Sequence, residues 1–331
     1  MNKPRRLYIL AVILFISLVT GHSQQLPLFS QYMMNGFLIN PALAGNDGYT
    51  AINLTAREQW LGLGQAPKTH GISFQTRVLK TSYISKSTSV RKKVTRPSRS
   101  GRIGLGGYLF NDRNGIIDRT GFQLTYAYHI PLRTTNNAQL SFGLTANFFQ
   151  FKINEDEIRP YDIDDPLLLE YDRVFYIPDA NFGAYFTTRD YYVGFSVTEL
   201  FKATFKLGKE GIGDYRAMRH YYLTGGYMFD VGVDFALQPT FLIKTSDYLK
   251  SFQVDISLKA FYREDYWLGL SYRTSDAMII MVGVKVDQYF FGYAFDYSLT
   301  NIRKHSFGSH EIMVAVKFGS NARRYRWLNR Y

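Results

Sequence analysis

The chain is 331 residues long, contains no cysteine, and draws 17% of its residues from Phe, Trp and Tyr. Without cysteine no disulfide can hold the fold, so an exported form relies on packing alone. The net charge of +12 suggests a nucleic-acid partner only until it is located: much of it lies in Lys3, Arg5, Arg6 and one internal basic segment, and the rest of the chain is close to neutral.

Lys3, Arg5 and Arg6 precede an apolar run from Leu7 to Val19, with Gly21 and Ser23 at the −3 and −1 positions of a cut between Ser23 and Gln24. A charged start, an apolar middle and a small-residue exit predict a secretory signal peptide over residues 1–23. The run is too short for a transmembrane helix, which needs about 20 residues, and no comparable run follows. Residues 24–48 are expected to form a plug-like or interfacial segment at the periplasmic mouth of the fold. Phe29, Tyr32, Met33, Met34, Phe37, Leu38 and Ile39 are too apolar to hang in water, while Asn40-Pro41 and Ala44-Gly45 are turn signals that prevent one continuous helix or strand.

From 49 to 318 the hydropathy alternates with period two. Fourteen strands are predicted at 49–58, 69–78, 103–111, 120–130, 138–150, 180–188, 191–199, 220–229, 233–244, 251–262, 266–273, 277–286, 289–298 and 309–318. In one of them Leu140, Phe142, Leu144, Ala146 and Phe148 oppose Ser141, Gly143, Thr145 and Asn147. A soluble β-sandwich alternates too. Here, however, the apolar faces carry almost no charge, while Arg57, Arg77, Asp234, Asp255, Lys259, Lys285, Asp296 and Lys317 fall on the opposite face. Strand lengths near about ten residues suit a tilted membrane crossing. The expected fold is all-β: a single transmembrane antiparallel β-barrel of about 14 strands, lipid outside and water inside. On that reading Leu144→Arg is damaging and the lumen-facing Thr145→Arg is tolerated. An even strand count puts both termini in the periplasm.

Parity assigns the connection 79–102 to the periplasm. It carries Lys80, Lys86, Arg91, Lys92, Lys93, Arg96, Arg99 and Arg102 with no acid between them, and reads as a basic loop without a core of its own. It is either a solvated insertion or a contact for an acidic periplasmic protein or anionic polymer. The tail 319–331, with Arg323, Arg324, Arg326 and Arg330, extends the same basic character. On the outer side, Trp60 reads as an interface aromatic. Asn111 to Gly115 reads as a hairpin turn whose spacing does not fit an EF-hand. Glu155, Asp156, Glu157, Asp162, Asp164 and Asp165 make the longest outer loop acidic. No metal site or cofactor is expected.

Catalysis finds little support. His129, His220, His305 and His310 are the available imidazoles; Ser306 and Ser309 stand beside two of them, but none lies in a Gly-x-Ser-x-Gly setting. There is no His-Glu-x-x-His and no phosphate loop.

Several segments, taken in order, resemble one family. Pro27-Leu28-Phe29-Ser30-Gln31-Tyr32-Met33-Met34-Asn35 leads into Ile39-Asn40-Pro41-Ala42-Leu43-Ala44-Gly45. Arg57-Glu58-Gln59-Trp60 and Ala66-Pro67-Lys68-Thr69 follow, then Gly104-Leu105-Gly106-Gly107, Asn111-Asp112 and Gly115. Asp179-Ala180-Asn181-Phe182-Gly183, Gly225-Gly226-Tyr227 and Gly308-Ser309-His310-Glu311-Ile312 complete the series. Together they resemble the PorP/SprF family, outer-membrane proteins of the type IX secretion system in Bacteroidota. The long basic insertion and the extended tail depart from that pattern. The resemblance implies a non-enzymatic component that helps export or attach large cargo proteins, such as gliding adhesins, that carry a C-terminal sorting domain. Its implied partners are outer-membrane lipid, that cargo, and other secretion or gliding components in the periplasm, with no nucleic acid. An outer-membrane channel or small-solute transporter is the alternative.

Overall fold

The computed structural model describes residues 29–78, 101–132, 138–153, 174–202, 204–207, 213–216, 218–247, 251–263 and 265–318. The signal segment with Ser23 and Gln24, most of the basic loop, the acidic cluster from Glu155 to Asp165 and the basic tail therefore lie outside the described residues.

Alternation along the chain becomes antiparallel strands because each strand has one face for hydrocarbon and one for the interior. In order they are Thr50–Glu58 (β1), Lys68–Val78 (β2), Ile103–Asn114 (β3), Ile117–Pro131 (β4), Gln139–Ile153 (β5), Val174–Thr187 (β6) and Tyr191–Thr198 (β7). Thr204–Leu207 (β8) and Gly213–Arg216 (β9) pair only with each other, within a connection expected to be plain loop. His220–Tyr227 (β10), Phe229–Val231 (β11), Phe235–Ser246 (β12), Phe252–Tyr262 (β13), Tyr266–Arg273 (β14), Ala277–Val286 (β15), Tyr289–Ser298 (β16) and Ser309–Phe318 (β17) follow. Each barrel strand pairs with its sequence neighbour; β1 pairs with β17 and β10 with β12, so the sheet closes on itself with no free edge. With β11 continuing β10 along β12, fourteen strands form the wall, as the alternation predicts.

Several strand ends differ from expectation, and two places stand out. Strands β5 and β6 run on to Ile153 and back from Val174, because Phe151, Tyr176 and Ile177 continue the alternation into what reads as loop. The Asn111–Gly115 turn is tighter than expected: Asn111 and Asp112 belong to β3, and the chain reverses at Gly115, whose φ of +60° suits glycine.

The outer face is apolar. Leu54, Leu124, Leu144, Ile256 and Leu270 project into the surroundings, and Leu144 is 57% exposed. Tyr191, Tyr227, Phe229, Phe235, Tyr262 and Tyr266 cluster at one rim, as membrane-interface aromatics do. Of the charges expected inside, Arg57, Asp255, Lys259, Asp296 and Lys317 are buried in the lumen; Asp234 instead sits exposed beyond the rim, paired with Arg263 at 3.3 Å.

The lumen is not the water-lined space that composition suggests. Thr145 is 3% exposed, and its hydroxyl lies 2.8 Å from that of Thr125. The expectation that an arginine is tolerated there is therefore corrected. Leu144→Arg is expected to cost about 2–4 kcal/mol on the lipid face. Thr145→Arg is expected to fail as well, by overpacking, whereas Thr145→Ser folds. Heat-modifiable electrophoretic mobility of the three variants distinguishes these outcomes.

Candidate functional site

The interior is occupied by the chain's own N-terminal segment. Call the barrel end where β1 begins and β17 finishes the near end, and the opposite one the far end. From Phe29 to Gly48 the segment runs through the lumen as three short 3-10 turns, Tyr32–Met34, Gly36–Leu38 and Pro41–Leu43, toward the near end, where β1 starts. Asn40 and Pro41 start the last turn: the Asn40 side chain accepts the Ala42 N–H at 3.0 Å, and proline takes the first helical position. At Gly45, φ is +67°, and a Cβ would stand 2.6 Å from the Thr76 carbonyl oxygen. Only glycine makes that turn against the wall.

A charged clamp toward the far end holds the start of the segment. Glu311 accepts the Ser30 N–H at 2.6 Å and the Gln31 N–H at 2.9 Å. Arg57 bridges Asp296 at 2.7 Å and Glu311 at 3.0 Å and donates to Ser30 Oγ, which in turn donates to Asp296 at 2.7 Å. Arg273 joins the group through Asp255 at 2.9 Å and Asp296 at 3.7 Å. All five charged residues are at most 3% exposed. Buried charges persist where every partner is present, and here part of the partnership is the segment's own backbone. Tyr32 packs beyond the clamp with Ile39, Tyr222 and Leu242.

Small residues form the floor on which the rest of the segment lies. Gly104 pairs with Ala127, Ala127 with Gly143, Gly143 with Gly183, and Gly183 with Ser196, making one ladder across β3, β4, β5, β6 and β7. A Cβ at Gly104 would sit 1.9 Å from the Ala44 carbonyl oxygen, one at Gly143 2.2 Å from the Pro41 carbonyl carbon, and one at Gly183 2.1 Å from Asn40 Oδ1. Ser196 Oγ donates to the Ile39 carbonyl at 2.8 Å, and Asn40 Nδ2 donates to the Ala184 and Phe195 carbonyls at 3.1 and 3.2 Å. His129 Nε2 faces the Ala44 carbonyl at 3.0 Å. A carbonyl can only accept, so Nε2 carries the proton and Nδ1 accepts from Ser141 at 2.8 Å.

The expected site residues divide accordingly. Phe29, Ser30, Gln31, Tyr32, Asn35, Asn40, Pro41, Ala42 and Gly45 all belong to the lumen segment, with Asn35 Nδ2 donating to Ser73 Oγ at 2.8 Å. Glu311, expected in a loop motif, is a β17 residue of the clamp, while His310 on the same strand faces the Tyr293 hydroxyl at 2.8 Å. Trp60, Pro67 and Gly308 meet at the far rim: Leu61 N–H donates to the Gly308 carbonyl at 2.8 Å and Trp60 N–H to Ser309 Oγ at 3.1 Å. Asp112 is separate, holding Thr69 at 2.7 Å and Arg119 at 2.5 Å. Of the basic loop, Arg102 is described, and it is exposed beside Tyr128. Sequence reasoning missed Asp296 and Glu311 as partners of Arg57, the Arg273–Asp255 pair beside them, and Gly143 and Ala127 as part of the floor.

The far connections are tied down too. Asp247 pairs with Lys202 and accepts the Tyr221 hydroxyl at 3.0 Å. Partial desolvation raises its pKa, but these bonds outweigh that and hold the carboxyl below its ordinary value. The link is thus intact at neutral pH and is lost only as acid titrates the carboxylate.

Chemically the arrangement binds and seals. His129 and Ser141 touch, but both are fully enclosed and hold the segment. His220 is buried beside Glu199, and His305 lies exposed on the far rim.

Comparison with known proteins gives a family. Residues 21–316 match the model of a family described as type IX secretion system membrane protein PorP/SprF. No curated protein matches the chain. Among solved structures, the Ralstonia pickettii toluene transporter TbuX is 9% identical, with 85% of this chain and 92% of that chain covered at a TM-score of 0.48. The CymD monoaromatic hydrocarbon channel is 12% identical over 88% and 92%, at 0.44. The KdgM porin is 9% identical over 81% and 98%, at 0.37. Nothing about function follows from likenesses of that size. A closed barrel with an apolar belt, matched to a family of secretion-system membrane proteins, is located in the outer membrane. With the match running through the lumen segment and nearly the whole wall, the chain belongs to the PorP/SprF family of type IX secretion system membrane proteins.

Proposed function

We propose that this protein is a non-enzymatic outer-membrane component of the type IX secretion machinery, assisting export or surface attachment of specific large proteins that carry a C-terminal sorting domain, gliding adhesins among them. The observation that carries the reading is the filled lumen: a family member whose bore is occupied by its own clamped segment is built to bind and hold rather than to pass solutes. In this reading residues 1–23 are removed on export, the near end faces the periplasm, and the far loops face the exterior. Short near-end connections at 188–190, 263–265 and 287–288 support that orientation, as does the usual preference of such barrels for short periplasmic turns. The basic loop 79–102 and the tail 319–331 would then meet other secretion or gliding components in the periplasm.

Deleting the gene is expected to remove one or a few large, C-terminally sorted proteins from the cell surface while small-solute uptake stays normal. Normal secretion with impaired uptake would favour a channel instead. Orientation is read separately, in a chain without native cysteine. A thiol introduced as Asn114→Cys at the end of β3, beside the far β3–β4 turn, should react with an impermeant reagent on intact cells, and Gln288→Cys in the near β15–β16 turn only after permeabilisation. The reverse pattern would invert the topology.

A further inference from the structure

The far rim carries a surface that the lumen does not use. Connections 59–67 and 299–308 lie side by side because β1 pairs with β17. They are also bonded to each other: Leu61 N–H donates to the Gly308 carbonyl at 2.8 Å, and Phe307 N–H to the Leu61 carbonyl at 2.7 Å. Gln59 N–H closes the base of the first connection on the Pro67 carbonyl at 2.8 Å. On this braced platform Phe307 is 76% exposed and Leu61 41%. Trp60 lies beside them, partly buried. Such side chains usually seek cover, and a contiguous exposed apolar patch marks an interaction site.

The charge of the patch is one-sided. Neither connection contains Asp or Glu, and Arg303, Lys304 and His305 stand exposed beside Phe307. The carboxylates at its flanks are already engaged, Glu58 with Lys68 at 3.2 Å and Asp276 with Arg273 at 3.4 Å. Because the loops are held by backbone bonds, little further ordering is required when something docks, which favours affinity.

We propose that this platform is a protein-docking site whose partner presents an apolar side chain flanked by carboxylates: the apolar group covers Phe307 and Leu61, and the carboxylates meet Arg303 and Lys304. The inference rests on the secretion reading for the partner being an exported protein, but the surface itself is testable alone.

The full-length protein in lipid nanodiscs is titrated with a fluorescent peptide that alternates Glu with Phe and Leu, and with its counterpart carrying Lys for Glu. Wild type is expected to bind the acidic peptide, more weakly as salt rises, because exposed charges are screened beyond about 8–10 Å. Phe307→Ser should lower affinity by about tenfold or more, as removal of a central aromatic anchor does. The double reversal Arg303→Glu and Lys304→Glu should switch preference to the Lys peptide. All these side chains are exposed, and heat-modifiable mobility verifies that each variant is folded. Equal affinity of wild type and variants for both peptides would overturn the proposal. So would quenching of a bimane label on Phe307→Cys by brominated lipid, which would place the patch in the membrane. Lost peptide selectivity with a persisting deletion phenotype removes the platform alone; intact peptide selectivity with normal secretion in the deletion strain removes the secretion reading alone.

Discussion

Gly143→Val is expected to expel the lumen segment while leaving the wall standing. A Cβ there would lie 2.2 Å from the Pro41 carbonyl carbon and 2.4 Å from the Ala42 nitrogen. Both are backbone atoms, so no rotamer relieves the contact. Overpacking of this kind costs about 1–3 kcal/mol or more. The segment can escape by leaving, whereas β5 is fixed by its ladders to β4 and β6. The check is a thiol placed by Met33→Cys, inside the lumen beside Tyr32 and Leu242. In the otherwise native protein it should react slowly with a bulky maleimide, and in the Gly143→Val background rapidly, with heat-modifiable mobility retained in both. Equal protection in the two would mean that the floor does not position the segment.

Arg57→Ala is expected to damage the fold more broadly. It leaves Asp296 and Glu311 buried, at 2% and 1% exposure, with their main cation gone. Removing one partner of a buried ionic group typically costs about 3–5 kcal/mol, because the stranded carboxylates must be neutralised or hydrated. A marked drop in the temperature at which the folded electrophoretic form disappears is the expected reading. Arg57→Lys restores the charge but cannot fork between two carboxylates, so an intermediate drop is expected. A combined Arg57→Ala, Asp296→Asn and Glu311→Gln variant should recover part of the loss, because it removes the uncompensated charge. If the triple variant is no better than the single one, packing rather than charge explains the effect.

The strands were legible because lipid imposes a rule on every second residue. Leu140, Phe142 and Leu144 face out, and Ser141, Gly143 and Thr145 face in, whatever the interior contains. What fills the interior left only a local trace: the apolar character of Phe29 to Ile39 and the turn signals at Asn40-Pro41 and Ala44-Gly45. The clamp was not legible, since Arg57 meets Asp296 and Glu311 across the closure of the barrel, far apart in sequence and with no periodic spacing. The small-residue floor was half visible. Gly104 and Gly183 stand in segments that resemble the family, but their connection through Ala127 and Gly143 exists only once strand register is known. Thr145 misled for a related reason: its alternation assigns it to the lumen correctly and says nothing of whether water or protein waits there.

Planar-bilayer recording from the purified full-length protein tests most directly the claim that the lumen is closed by the chain's own segment. The wild-type barrel is expected to be electrically quiet, with conductance steps emerging only when the segment is displaced, as in Gly143→Val. Steady, open-pore conductance from the wild type, unchanged in that variant, would contradict it.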